Sequence, residues 1–145
     1  MANRVLREVQ QNDLAKIGEF AGKLFDDYSS SDFEKMATDS NYKFFVLIEE
    51  TDVLGFVIFL HIDTKLEIIK IATNPVFHRQ GVASVIMTCV FEFAKKNGHE
   101  GVILEVNKKN HPARELYKKM GFKEIFVRKR YYHNTDDAII MEWTE

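Results

Sequence analysis

Pro75-Val76-Phe77-His78-Arg79-Gln80-Gly81-Val82-Ala83 is the stretch whose reading decides the fold. Before it stands the apolar run Leu66-Glu67-Ile68-Ile69-Lys70-Ile71-Ala72-Thr73, and Lys65 to Thr73 reads as a strand. After it comes an amphipathic segment from Val82 to Lys96. A strand, a short loop holding Arg, Gln and Gly, then a helix: that order builds an anion site. The first N–H groups of a helix have no intrahelical partner, and the helix dipole adds partial positive charge there. A phosphate fills such a position. Gly81 lets the backbone come close to a ligand. The same junction also suits a glycine kept for packing alone, so the pattern needs support from the rest of the chain.

Outward from that loop, the helix is expected to run from about Arg79 to Asn97, burying Val82, Val85, Ile86, Cys89, Val90, Phe93 and Ala94. Lys95-Lys96-Asn97-Gly98 closes it, with cations in the last turn and a glycine cap. Gly101 to Val106 reads as a continuous apolar strand, central and covered on both faces. Asn110-His111-Pro112 opens another helix, with Asn110 as cap, ending at Met120-Gly121. Phe122 to Arg130 and Ala138 to Trp143 form a last pair of strands. Upstream, Val5 to Val9 is a strand, and Asp13 caps a helix through Phe25. Ser31 or Asp32 caps a short helix through Met36. Phe44 to Glu49 and Val53 to Leu60 make a hairpin joined by Glu50-Thr51-Asp52. Gly55 within it marks a close backbone approach. The order β-α-α-β-β-β-α-β-α-β-β predicts an α/β (α+β) domain: a mixed sheet of about seven strands with four helices on both faces.

Length and composition set the class. A chain of 145 residues, 46% apolar and 29% charged, fits one globular domain spanning 1–145. A formal charge of −2 excludes generic nucleic-acid affinity. The single Cys89 excludes an internal disulfide and reads as a small buried hydrophobe. No secretory signal is visible after Met1-Ala2-Asn3-Arg4, and the longest apolar run, Val53 to Leu60, is too short to span a bilayer. A cytoplasmic protein is expected. Lys108 to Arg130 holds nine basic residues against two acidic ones. That run is either a solvated surface or a field for a polyanionic ligand.

Two residues could carry chemistry. Glu105 stands among Val102, Ile103, Leu104 and Val106. A carboxylate in such a strand either ends at water or pairs with Arg or Lys, or is desolvated toward the range of a general base. Tyr117, beside Leu116 and Met120, is either core packing or a proton donor suited to a leaving thiolate. The five histidines show no metal-ligand spacing, so no metal is expected.

Taken in order, Ile71-Ala72-Thr73-Asn74-Pro75, His78-Arg79-Gln80-Gly81-Val82-Ala83, Leu104-Glu105-Val106, Asn110 and Leu116-Tyr117-Lys118-Lys119-Met120-Gly121-Phe122 resemble a GNAT-family N-acetyltransferase. Arg128-Lys129-Arg130-Tyr131-Tyr132 and Asp137 to Met141 are similar to one branch, the RimI-like enzymes that acetylate the N-terminal amine of a ribosomal protein. The resemblance covers Leu66 to Trp143. It departs from the family at His78, where Gln or Arg is common, at Thr73, usually apolar, and at Tyr28 to Phe33, where RimI-like enzymes often carry a Trp.

The resemblance implies a GNAT fold and acetyl-CoA as donor. The backbone of Ile71, Ala72 and Thr73 would hold the acetyl-pantetheine arm. The loop Arg79, Gln80, Gly81, Val82, Ala83 and Ser84 would hold the pyrophosphate, and Asn110 would contact the same molecule. Glu105 matches the proton acceptor and Tyr117 the proton donor. Tyr131 and Tyr132 lie where a peptide end is expected to enter. A backbone N–H near Ile71 would supply the oxyanion donor. The expected partners are acetyl-CoA and CoA and the N-terminus of a ribosomal protein, with no nucleic acid or membrane, in a monomer or weak dimer. Two alternatives share these residues in part: an acetyltransferase of small-molecule amines, and a non-catalytic acyl-CoA-binding module.

Overall fold

The computed structural model describes residues 3–24, 30–132 and 136–145, the side chains of 23, 24, 30 and 130–132 excepted. Its elements in order are β1 (Arg4–Glu8), α1 (Gln11–Leu24), α2 (Ser30–Thr38), β2 (Tyr42–Glu49), β3 (Asp52–Ile62), β4 (Lys65–Thr73), a 3-10 turn (Pro75–Phe77), α3 (Val82–Lys96), β5 (Gly101–Asn107), α4 (His111–Lys119), β6 (Lys123–Tyr132) and β7 (Asp136–Thr144). The seven strands form one sheet in the order β1-β2-β3-β4-β5-β7-β6. The pairing of β4 with β5 is parallel, while β1–β2, β2–β3, β5–β7 and β6–β7 are antiparallel. Contacts divide the chain into two compact units, residues 1–61 with 69–90, and 62–68 with 91–145.

In the first unit, one apolar cluster joins Ile17, Phe20 and Ala21 of α1, Phe33 and Met36 of α2, and Phe44, Val46, Phe56 and Ile58 of β2 and β3. Phe56 anchors it, with ring centroids 5.6 Å from both Phe33 and Phe44. The other face of β3 meets α3. A Cβ on Gly55 would lie 2.5 Å from the Ala72 carbonyl oxygen and 2.9 Å from Val82 Cγ1. The close approach read from Gly55 is therefore real, and only glycine fits. Because strand side chains alternate, α1 and α2 cover one face of β3 and α3 the other.

Asp13 does not cap α1 from outside. The helix starts at Gln11, so Asp13 is its third residue. Its Oδ2 accepts from the Gln10 N–H at 2.7 Å, the reciprocal half of a capping box. The Arg7 guanidinium grips the same carboxylate with two bonds, 2.7 and 3.1 Å. Burial opposes the charge, but the bonds from Arg7 and Gln10 outweigh it and hold the carboxyl below its ordinary value. Likewise α2 begins at Ser30, which puts Ser31 and Asp32 inside its first turn.

In the second unit, β5 is central, flanked by β4 and β7. It is not covered on both faces as its apolar run suggested. Val102, Leu104 and Val106 are buried, while Ile103, Glu105 and Asn107 are half-buried. The covered face carries Phe91 stacked on Trp143, with centroids 4.0 Å apart, and Phe91 against Phe122 at 5.7 Å. The opposite face, where the register sets Ile140 beside Glu105, is only half-covered.

Candidate active site

The loop after β4 is built by three devices. Asn74 caps the 3-10 turn, its Oδ1 accepting from the Val76 N–H at 3.2 Å, while its Nδ2 donates to the Val53 carbonyl at 3.1 Å. Its own N–H donates to the Leu54 carbonyl at 2.8 Å. Pro75 opens the turn. Arg79 and Gly81 then adopt positive φ, 63° and 71°. These two residues stop the helix from starting at Arg79, as the periodicity suggested, and delay it to Val82. Gly81 is required for its conformation rather than for space, since a Cβ there would meet nothing within 4 Å. Arg79 has no such freedom, and a non-glycine residue in this region carries about 1 kcal/mol of strain.

Residues 78–81 and Ser84 are exposed, and Ala83 is half-buried. The Gly81 carbonyl accepts from the Val85 N–H at 3.1 Å, which makes Gly81 the helix cap. The first-turn N–H groups of Val82, Ala83 and Ser84 thus point out of the helix end, where an anion is favoured. One residue missed by sequence reasoning holds this loop. Arg4 of β1 donates to the Gln80 carbonyl at 3.0 Å and to its side-chain oxygen at 3.3 Å, while its Nε lies 3.8 Å from Glu49. The contact joins positions 76 residues apart, and no local pattern signals it. Upstream of the loop, Ala72 is buried and Ile71 and Thr73 are half-buried at the end of β4.

In the second unit, Glu105 keeps 23% of its side chain exposed and pairs with the Arg128 guanidinium at 3.1 Å. Tyr117, half-buried on α4, packs edge-on against Phe122 with centroids 5.7 Å apart. Desolvation pushes its pKa up to about 12, so the phenol keeps its proton through neutral pH. Asn110 caps α4, its Oδ1 accepting from the Ala113 N–H at 3.2 Å. Tyr131 and Tyr132 fall in β6 by their backbone, and their side chains lie outside the described residues. Cys89 is half-buried rather than buried, and Met87, absent from the expected stripe, is fully buried.

The basic run from Lys108 to Arg130 is largely neutralised. Lys108, Lys109, Arg114, Lys118, Arg128 and Lys129 each lie within 4 Å of a carboxylate. A solvated, paired surface describes it better than a polyanion field. A cavity of about 600 Å³ beside α1, lined by Lys16, Thr51, Asp52, Asn74 and Val76 among others, contains none of the residues expected to act in catalysis or to bind the donor or acceptor. Among the described residues no group of three or more His, Cys, Asp or Glu side chains could hold a metal, and no helix is long and apolar enough to cross a membrane.

The first unit thus holds a strand end, a positive-φ loop and a helix start, and the second a carboxylate strand and a tyrosine helix. The chain belongs to the GNAT acetyltransferase family, whose sequence pattern matches residues 10–122. It is an N-acetyltransferase with the mixed seven-stranded fold of that family. It is 32% identical over 103 residues to the ribosomal protein bS18-alanine N-acetyltransferase of Escherichia coli K12, covering 69% of this chain and 70% of that protein. It is 31% identical over 111 residues to an N-alpha-acetyltransferase of Saccharolobus solfataricus, covering 68% and 66%. The crystal structure of the E. coli ribosomal-protein-S18-alanine N-acetyltransferase superimposes with a TM-score of 0.86 at 24% identity, covering 98% of this chain and 94% of that one.

Proposed function

We propose that the chain, as one domain over 1–145, transfers the acetyl group of acetyl-CoA to the N-terminal α-amine of a protein, in the first instance a ribosomal protein. The observation that carries the chemistry is Glu105, a carboxylate on an apolar strand, paired with Arg128 on the half-covered face of the sheet. The acceptor class is supported by the relatives, named for bS18-alanine and N-alpha acetylation. A soluble, cytoplasmic setting accords with that acceptor.

The donor-binding residues in this reading are the backbone of Ile71, Ala72 and Thr73, the loop Arg79 to Ser84, and Asn110. The pyrophosphate is matched to the first-turn N–H groups of α3, with Arg79 beside them and Arg4 fixing Gln80. Capping by Asn110 uses its amide oxygen. Its N–H donors remain for the ligand. Tyr131 and Tyr132 contact the peptide end.

An ammonium has no lone pair and cannot attack a thioester. Glu105 takes one proton, directly or through one water, and later returns it to solvent. The neutral amine attacks the thioester carbon, and a backbone N–H near Ile71 stabilises the oxyanion. Collapse breaks the C–S bond, and Tyr117 protonates the thiolate. The second amine proton restores the phenol, so the net products are amide, CoA thiol and one proton. A pKa of about 12 makes the phenol a weak acid in water. The same desolvation that raises it also disfavours a thiolate, so proton transfer relieves a charge that the site cannot solvate. Holding both reactants in line supplies much of the remaining acceleration.

The test is a panel of peptide N-termini, that of bS18 included, and of free amines such as amino acids and polyamines. Each is incubated with acetyl-CoA and read by mass spectrometry. Acetylation of peptide α-amines is expected. Turnover confined to free amines would discard the peptide assignment, and none at all would favour a binding module.

A further inference from the structure

Glu67 of β4 shares the half-covered sheet face with Glu105. In the parallel β4–β5 register Glu67 lies opposite Ile103, and Glu105 follows two residues on, pointing the same way. Arg128 reaches this face from two strands away. Its Cα partner is Ala138, whose own partner on β5 is Asn107, so the guanidinium crosses over β7 to meet Glu105. Ala138 is too small to bar the way. Of the other charged groups that the register places on this face, Lys65 and Glu142 are paired with each other, Lys123 lies opposite Glu142, and Asp136 pairs with Lys109. Around Glu105 the face therefore sets two carboxylates, those of Glu67 and Glu105, against one guanidinium, that of Arg128.

Two carboxylates beside one guanidinium have a consequence for catalysis. A carboxylate bound to a guanidinium is a poor base, because proton uptake must break the ion pair and leave the cation unpaired. We propose that Glu67 is the positioning residue that frees Glu105: it takes over the Arg128 guanidinium when the acceptor's ammonium arrives. The charges balance throughout. Before transfer, two carboxylates face a guanidinium and an ammonium. Afterwards an N–H bond has broken and an O–H bond has formed on Glu105. What remains is one neutral acid, one neutral amine and a Glu67–Arg128 pair. The field at Glu67 agrees: burial and then the charge of Glu105 push its carboxyl up, while Arg128 pulls it down. Glu67 feels both partners already.

This inference rests on the acetyltransferase reading with Glu105 as proton acceptor. It is tested by a kinetic double-mutant cycle on the whole chain, with acetyl-CoA and a peptide that the wild type acetylates. Glu67→Gln should lower kcat about tenfold with the KM for acetyl-CoA unchanged. In the Arg128→Gln background, where no guanidinium needs a new partner, the same change should cost less than about twofold. Glu67→Asp, which keeps the charge, should recover part of the loss. An equal loss in both backgrounds, or none in either, would overturn the role of Glu67 while leaving the function intact. Absence of transfer to any amine by the wild type would overturn both.

Discussion

Arg128 places its guanidinium 3.1 Å from the Glu105 carboxylate, although the two residues lie on strands separated by β7. The proposed base thus rests in an ion pair on a half-open face. Its proton chemistry depends on what displaces that partner, and the variants below separate this chemistry from donor binding.

Glu105→Gln keeps the shape of the side chain and removes its basicity. Turnover is expected to fall by about 10²-fold or more, the usual contribution of a positioned acid or base. Tyr117→Phe should fall in the same direction, because the thiolate then leaves unprotonated. Neither change touches the loop from Arg79 to Ser84, so CoA affinity should stay within about threefold in a calorimetric titration. Undiminished rates in both variants would remove the two roles.

Tyr117 should also be visible without any substrate. Ultraviolet titration of the five tyrosines is expected to show a late component near pH 12, absent in Tyr117→Phe. The consequence for stability has a definite sign. The folded chain holds this proton above the ordinary value of 10.0, so between about pH 10 and 12 the unfolded chain binds fewer protons. Stability therefore falls as pH rises through that window and is unaffected by this group below it. Denaturant midpoints in Tyr117→Phe should decline less steeply there.

Gly55→Ala forces a Cβ to within 2.5 Å of the Ala72 carbonyl oxygen. Overpacking of this kind costs about 1–3 kcal/mol, measurable as a lower denaturant midpoint. The same displacement shifts the strand assigned to the pantetheine arm, so acetyl-CoA should bind more weakly even where the variant is folded. An unchanged midpoint would show that β3 and β4 can part without cost.

Arg4→Ala removes both hydrogen bonds to Gln80. Exposed bonds of this type contribute about 0.5–1.5 kcal/mol, so the loop should loosen and acetyl-CoA affinity drop by about threefold to tenfold. Equilibrium binding of acetyl-CoA to the variant measures this, and wild-type affinity would deny Arg4 any part in the site.

The sequence carried the features that rest on local periodicity and turn chemistry. Strand β4 begins and ends where the pattern placed it, at Lys65 and Thr73, and Asn110 caps α4 as its position before Pro112 required. Gly55, a glycine inside a strand, signalled the close approach that the Ala72 carbonyl confirms. The start of α3 was misplaced because apolar spacing does not register backbone φ, and Arg79 and Gly81 turn left-handed before the helix can begin. The apolar run of β5 suggested two covered faces, but Ile103 on the Glu105 face is only half-buried. Pairings across strands were beyond reach: nothing local links Arg4 to Gln80 or Arg128 to Glu105. Glu67 offered a signal like that of Glu105, a carboxylate between Leu66 and Ile68 in an apolar-rich strand. Only the register showed that the two share a face.

The claim on which the rest depends is that this chain binds acetyl-CoA through the end of β4 and the start of α3. Calorimetric titration of the whole chain with acetyl-CoA tests it directly. One saturable site is predicted, weakened in Arg4→Ala and retained in Glu105→Gln. No heat of association with acetyl-CoA or CoA at several temperatures would contradict the account.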